Sequence, residues 1–179
     1  TTVETQSFSG PTFPELLGVF PEAPVYERTS MNSWDSKLLR DAIKKTGRKK
    51  LVMCGLWTEV CINTACNSAM ADGLEVYVVA DVCGATSQMA QQYSMDRMIQ
   101  AGARTVTWQQ VLLEWQRDWA HRDPYDAVMN ILPAHSCGYS MGLDSDYHIV
   151  HNPQPSRGWK GKIIHAATDR ENTRSPTWT

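Results

Sequence analysis

Lys50-Leu51-Val52-Met53-Cys54-Gly55-Leu56-Trp57-Thr58-Glu59-Val60-Cys61-Ile62 joins a short apolar run to a polar segment able to open a helix. A basic turn leading into an apolar stretch broken by glycine reads as a buried strand, Leu51–Leu56. Thr58 is placed to cap the following helix, roughly Glu59–Ala71, which Asp72-Gly73 ends. Its residues Val60, Ala65, Ala69 and Met70 are small or apolar, the pattern of a helix buried on several sides. Leu74–Ala80, rich in β-branched residues and closed by Asp81, is the clearest strand.

The same alternation continues outward. Gln88–Ala101 reads as a helix stopped by Gly102, and Arg104–Trp108 as a third strand. Helices are expected at Gln109–Trp119 and Pro124–Leu132. Upstream, Lys37–Thr46 carries Leu38, Leu39, Ala42 and Ile43 at helical spacing, with Asp35 or Ser36 before it and Gly47 after. Val25–Arg28 reads as a short extended segment, and 6–24 as a proline-rich loop with a helical turn near Glu15–Val19. Alternating strands and helices predict βαβ units, hence an α/β fold: a three-layer α/β/α arrangement with a mainly parallel sheet. From His135 the pattern weakens. The reading is a domain over 1–134 and a C-terminal extension over 135–179, an extended tail that crosses the surface or contacts a neighbouring subunit.

Composition narrows the function classes. Of 179 residues, 42% are hydrophobic. Counting Gly instead of Tyr brings the fraction to about 45%, in the globular range. Seventeen basic against nineteen acidic residues leave a net charge of −2, so nothing drives binding to phosphate backbones. The longest apolar runs, such as Val76–Ala80, fall far short of the roughly 20 residues a membrane span needs. Neither a nucleic-acid nor a membrane partner is expected. The five cysteines are odd in number and spaced 7, 5, 17 and 54 apart, which forms neither a disulfide scaffold nor a Cys-x-x-Cys metal site. Free thiols suit a reducing, cytoplasmic setting.

Open parallel sheets place ligands beyond the carboxyl ends of their strands. Three such ends are legible, at Gly55–Glu59, Asp81–Ser87 and Trp108, and the first carries a strong nucleophile. Cys61 falls in the first turn of a helix, where backbone N–H groups and the helix dipole favour a thiolate and can hold an oxyanion. That is equipment for acyl transfer through a thioester. Cysteine is also among the most buried residue types, so packing is the competing role. Cys54, Cys66, Cys83 and Cys137 read as structural. Asp81 reads as a loop organiser.

Gly55-Leu56-Trp57-Thr58-Glu59-Val60-Cys61-Ile62 resembles the Gly-x-x-Thr-x-x-Cys-Val signature of the isochorismatase-like cysteine hydrolases. Gly47-Arg48-Lys49-Lys50, Val78-Val79-Ala80-Asp81, Asp96-Arg97-Met98, Ala101-Gly102-Ala103 and Trp115-Gln116-Arg117-Asp118-Trp119 are similar to that family too. Phe20-Pro21-Glu22-Ala23-Pro24-Val25 and Asn32-Ser33-Trp34-Asp35 point to its YcaC-like subgroup. The resemblance covers about residues 1–134. It implies that Cys61 is the nucleophile of a hydrolase acting on a small amide or carbamoyl C–N substrate. It also implies a cis peptide at Leu56–Trp57, which would aim the Trp57 N–H, with that of Cys61, at the oxyanion. Trp34, Trp57 and Asn32 would line the pocket.

The family triad is Asp, Lys and Cys, and two members differ here. Arg28 aligns with the lysine, six residues before the aromatic Trp34. Arginine stays protonated, so it is assigned only to stabilise a thiolate or orient a carboxylate. The family's Asp ends the first strand, in an apolar run for which no counterpart occurs. The chain opens at what resembles the tail of the second strand, Thr1–Glu4, so the first strand and helix are expected to be missing or supplied by another polypeptide. Glu4, Glu59 and Asp81 are weak replacements for the base. Metal-dependent members carry an Asp-x-His cluster after the second strand. Thr5–Thr12 contains no His, so no metal and no cofactor are expected. Subgroup members assemble into rings or stacked rings, which implies a homo-oligomer. Two other readings stay open: a non-catalytic scaffold or ligand binder that lacks the Asp, and a redox sensor pairing Cys61 with Cys66.

Overall fold

The computed structural model describes residues 2–4 and 9–151. The expectations for Thr5–Thr12 and for the end of the tail fall partly on 5–8 and 152–179, outside the described residues. One compact unit runs to Trp108 and a second begins at Gln109. The first holds β1 (Thr2–Glu4), α1 (Pro14–Val19), β2 (Tyr26–Arg28), α2 (Lys37–Lys45), β3 (Lys50–Leu56), α3 (Asn63–Ala71), β4 (Glu75–Gly84), α4 (Gln88–Gln100) and β5 (Arg104–Val106). The chain then enters α5 (Trp108–Gln116), followed by α6 (Tyr125–His135) and α7 (Cys137–His151).

The strands are parallel throughout, and the α/β reading holds. β4 lies between β3 and β5, with Val52 opposite Tyr77 and Val79 opposite Val106. β1 and β2 pair separately, Thr2 opposite Tyr26. The sheet is therefore in two pieces, and among the described residues β3 is an edge.

That edge corrects one expectation. β3 was expected to be buried on both faces, yet Val52 is 44% exposed, Leu56 47%, and Cys54 is exposed as well. These alternate residues share one face of the sheet, which the described residues leave partly open. β4 has the burial expected of a central strand: Val76, Val78 and Val79 are all buried. It also runs on past Asp81 to Gly84, four residues beyond the expected end at Ala80, because a register shift lets its far end pair with the end of β3.

One face of this sheet carries the core: Val76 and Val78 meet Ile62, Cys66, Ala69, Met95, Met98, Ala103 and Trp34. Small residues at Ala65, Cys66 and Ala69 let α3 sit deep against the strands, as its composition predicted. Trp34 lies in a 3₁₀ turn, Ser33–Asp35, and its indole Nε1–H donates to Asp72 Oδ2 at 2.9 Å. Lys44 reaches the same oxygen at 2.9 Å, tying the ends of α2 and α3 together. Ser36 caps α2 by accepting from the Leu39 N–H, a contact typically worth about 1 kcal/mol.

Several boundaries moved. β5 stops at Val106, and α5 starts at Trp108 and ends at Gln116. α6 continues through Pro133 to His135. Residues 137–151, expected to be extended, form α7.

Met98 is fully buried, so Met98→Ala should cost about 2–5 kcal/mol in urea unfolding. Lys44 and then the Trp34 N–H hold the Asp72 carboxyl below its ordinary pKa. A lowered folded-state pKa adds stability above the ordinary carboxylate range, and the increment fades as pH falls through the folded value. Asp72→Asn should therefore be less stable than the parent near pH 7 and approach it near pH 2. A gap of equal size at both would remove the ion pair from the account.

Candidate functional site

β3 ends in a tight junction. Gly55 has φ +142°, a conformation that L side chains rarely adopt, and a Cβ there would stand 3.4 Å from Ile62 Cδ1. The Leu56–Trp57 peptide is cis. A five-residue π-helical turn, Thr58–Ile62, then leads into α3. The N–H groups of Val60 and Ile62 both donate to the Trp57 carbonyl, at 3.1 and 3.2 Å. Cys61 occupies this turn, half-buried, at the carboxyl end of β3. Thr58 was expected to cap the helix from outside. Instead Trp57 holds the cap position without a side-chain bond, and Thr58 is inside the turn, fully buried. The wide turn shifts the start of the helix by one residue. Its Oγ1 meets no hydrogen-bond partner among the described residues.

A second wall comes from β4. Gly55 pairs with Cys83 and Leu56 with Gly84. A Cβ on Gly84 would lie 2.4 Å from Leu56 Cδ2, so a side chain there would require the half-exposed Leu56 to change rotamer. Beyond Gly84 the chain turns, and the Thr86 N–H donates to Glu59 Oε1 at 3.0 Å. Glu59 was expected to turn away from Cys61, and its carboxylate is committed to this loop. The Thr86 side chain, the Glu59 amide and the Thr86 amide lower its pKa, in that order. Asp81 Oδ1 accepts from the Trp108 N–H at 2.9 Å, the loop-organising role expected of it.

The remaining predicted residues lie around the junction and on the α2 side. Trp57 is 47% exposed beside Cys61. Trp34 is buried in the core, with its indole on Asp72. The Asn32 side chain accepts from the Trp34 N–H and donates to Asp35 and to Ser68 Oγ on α3. Arg28 bonds the carbonyls of Ser30 and Met31 in the turn that follows it. Sequence reasoning missed the loop at Thr86 and its bond to Glu59, because the partners are 27 residues apart.

Burial separates the thiols. Cys66 is fully buried and its pKa is pushed up to about 11. Burial also raises Cys83, offset in part by a hydrogen bond from the Gly55 backbone, with smaller contributions from Cys54 and Asp81. Cys66 and Cys83 are poor thiolates near neutrality.

Residues 4–110 match the Isochorismatase domain family. The chain belongs to that family. It is 36% identical over 143 residues to "Probable hydrolase YcaC" of Escherichia coli, covering 77% of this chain and 68% of that protein. The crystal structure of the Escherichia coli YcaC gene product, described as an octameric hydrolase of unknown specificity, matches with a TM-score of 0.73 at 34% identity over 83% of this chain and 72% of that one. YcaC from Pseudomonas aeruginosa, solved with hexane-2,5-diol and covalent acrylamide, matches at 0.73 and 32% over 82% and 72%. The chain spans 54% of Isochorismatase domain-containing protein 2 of Xenopus laevis, at 31% identity. This isochorismatase-family chain thus shares its fold with the two YcaC structures.

With a pKa near 11, Cys66 holds roughly one thiolate in a thousand at pH 8. Timed alkylation with iodoacetamide and peptide mapping should find Cys66 the last of the five to react. Labelling of Cys66 as fast as exposed Cys137 would mean that α3 does not stay packed.

Proposed function

We propose that this chain is a cysteine hydrolase of a small amide or carbamoyl compound, acting through a thioester on Cys61. The observation that carries the reading is the place of Cys61, in the π-helical turn directly beyond the carboxyl end of β3. A base takes the thiol proton, and the sulfur attacks the carbonyl carbon of the substrate. The C–N bond then breaks, with the proton delivered to the departing nitrogen. Water cleaves the thioester, releasing the acid and restoring the thiol. In this reading the N–H groups of Trp57 and Cys61 form the oxyanion hole and Trp57 borders the substrate, whereas Asn32 and Trp34, expected to line the pocket, are held on Ser68 and Asp72 toward the other end of α3 and serve packing instead. Arg28 stabilises the thiolate or orients a carboxylate. The covalent acrylamide in the Pseudomonas aeruginosa relative supports a reactive nucleophile in this family, since acrylamide is an electrophile that thiolates add to.

Among the described residues, Glu59 and Asp81 each hold a loop amide, so neither is assigned as the base. The open edge of β3 supports a base carried by a further parallel strand laid against it, whether on a longer form of this chain or on another polypeptide. We further propose a cytoplasmic homo-oligomer, with 1–134 as the hydrolase domain and 135–179 contacting a neighbour; the octameric relative supports assembly. The same two loop bonds favour a second reading for the chain without that strand, a scaffold or ligand binder that lacks turnover.

Intact mass and the amino-terminal residue of the purified protein, followed by an amide and carbamoyl screen, separate these readings. A form with an upstream apolar strand bearing Asp should turn over a substrate, and Cys61→Ser should lower kcat by several orders of magnitude. Turnover that survives Cys61→Ser overturns the thioester reading. A form that starts at Thr1, takes no partner peptide and is inactive leaves the scaffold reading.

A further inference from the structure

The segment between Gly84 and Ser87 is held at three points. Gly84 is paired with Leu56 at the end of β4. Ser87 Oγ accepts from the Ala90 N–H at 3.1 Å and starts α4. Between them, the Thr86 N–H reaches back 27 residues to Glu59 Oε1 at 3.0 Å. The other carboxylate oxygen, Oε2, faces inward and meets no hydrogen-bond partner among the described residues. An acidic side chain in that state needs a fixed environment, because a swing toward solvent would hydrate it. Glu59 shares the π-helical turn with Cys61, two residues before it. One side chain therefore joins the turn that carries the thiol to the loop that leaves the adjacent strand. Asn63, just past the turn, adds a separate tie through its Nδ2 to the Ser94 carbonyl on α4, so losing Glu59 frees the loop without freeing the helix.

We propose that Glu59 is a positioning residue, whose carboxylate holds the 84–87 loop against the π-helical turn and so fixes the Cys61 thiol for attack. This rests on the Cys61 reading, and it assigns Glu59 no proton transfer. Asp81, Cys54 and Cys83 are the other titratable groups at this end of the sheet, and the Asp81 carboxylate is engaged with Trp108.

Two measurements made without turnover test it on the full chain. Hydrogen exchange reads the Thr86 amide, and acrylamide addition across pH, followed by peptide mapping, reads Cys61. Glu59→Ala should strip protection from Thr86 and slow acrylamide addition to Cys61, by up to about a hundredfold for a 1 Å displacement of the sulfur. Glu59→Gln keeps an oxygen acceptor at the same reach. It should restore both, with the pH profile of addition close to the parent's. Should the alanine variant not fold, Glu59→Asp keeps the charge but falls short of Thr86, and the alanine result is expected of it. A Cys61 rate within twofold of the parent in the variant that has lost Thr86 protection overturns the proposal, as does a glutamine variant that behaves like alanine. Failure of the hydrolase reading shows up differently, as a parent without turnover whose Cys61 rate still depends on residue 59.

Discussion

Parallel pairing of β4 with β3 is the constraint on which everything else depends. It starts in ordinary register, Lys50 opposite Glu75, and then shifts so that the step from Met53 to Gly55 spans Val78 to Cys83. The extra length in β4 carries its end past Asp81 and brings Gly84 onto Leu56. Without that shift, the loop after β4 would begin near Asp81, and Thr86 could not meet Glu59. A local irregularity between two strands thus decides which loop flanks the cysteine. Bulges and register breaks next to functional sites commonly re-aim the chain in this way.

Packing follows from the same pair. The inward valines of β4 need a partner surface, and α3 supplies one made of alanine and cysteine that can approach closely. Trp34 closes the far end of α3, where its indole and Lys44 converge on Asp72. The turn bearing Cys61 is consequently fixed at both ends: by the glycine junction with β3 before it, and by a buried helix after it. Under the hydrolase reading proposed above, a thiol set in such a frame would lose little orientational freedom when substrate arrives, which is the entropic condition for efficient attack.

What could be read beforehand follows the range of the forces involved. The order of strands and helices through β5 was legible because each element carries its own periodicity: β-branched residues in β4, helical spacing in α2, small residues in α3. Cys61 at a strand end was legible from order alone. The π-helical turn, the register shift and the Glu59–Thr86 bond were not. Each depends on partners far apart in sequence, and a one-residue difference in helix start leaves the composition unchanged. Thr58 has the chemistry of a cap and was assigned as one, but the wide turn drew it inside. The helix at 137–151 was missed because its glycine and serine content obscures an apolar face.

The edge of β3 links the fold to the chemistry. Protein edge strands are ordinarily blunted by charge, proline or a covering element. The open edge of β3 carries backbone N–H and C=O groups with no strand partner among the described residues, where β1 and β2 form a separate parallel ribbon. A strand added parallel to β3 would satisfy its backbone and place a new carboxyl end next to the turn that holds Cys61. It would extend the sheet and bring a side chain to the cysteine in the same step. Completing the fold and completing the catalytic group would then be one event, and a base supplied this way could not be present while the β3 edge stays open.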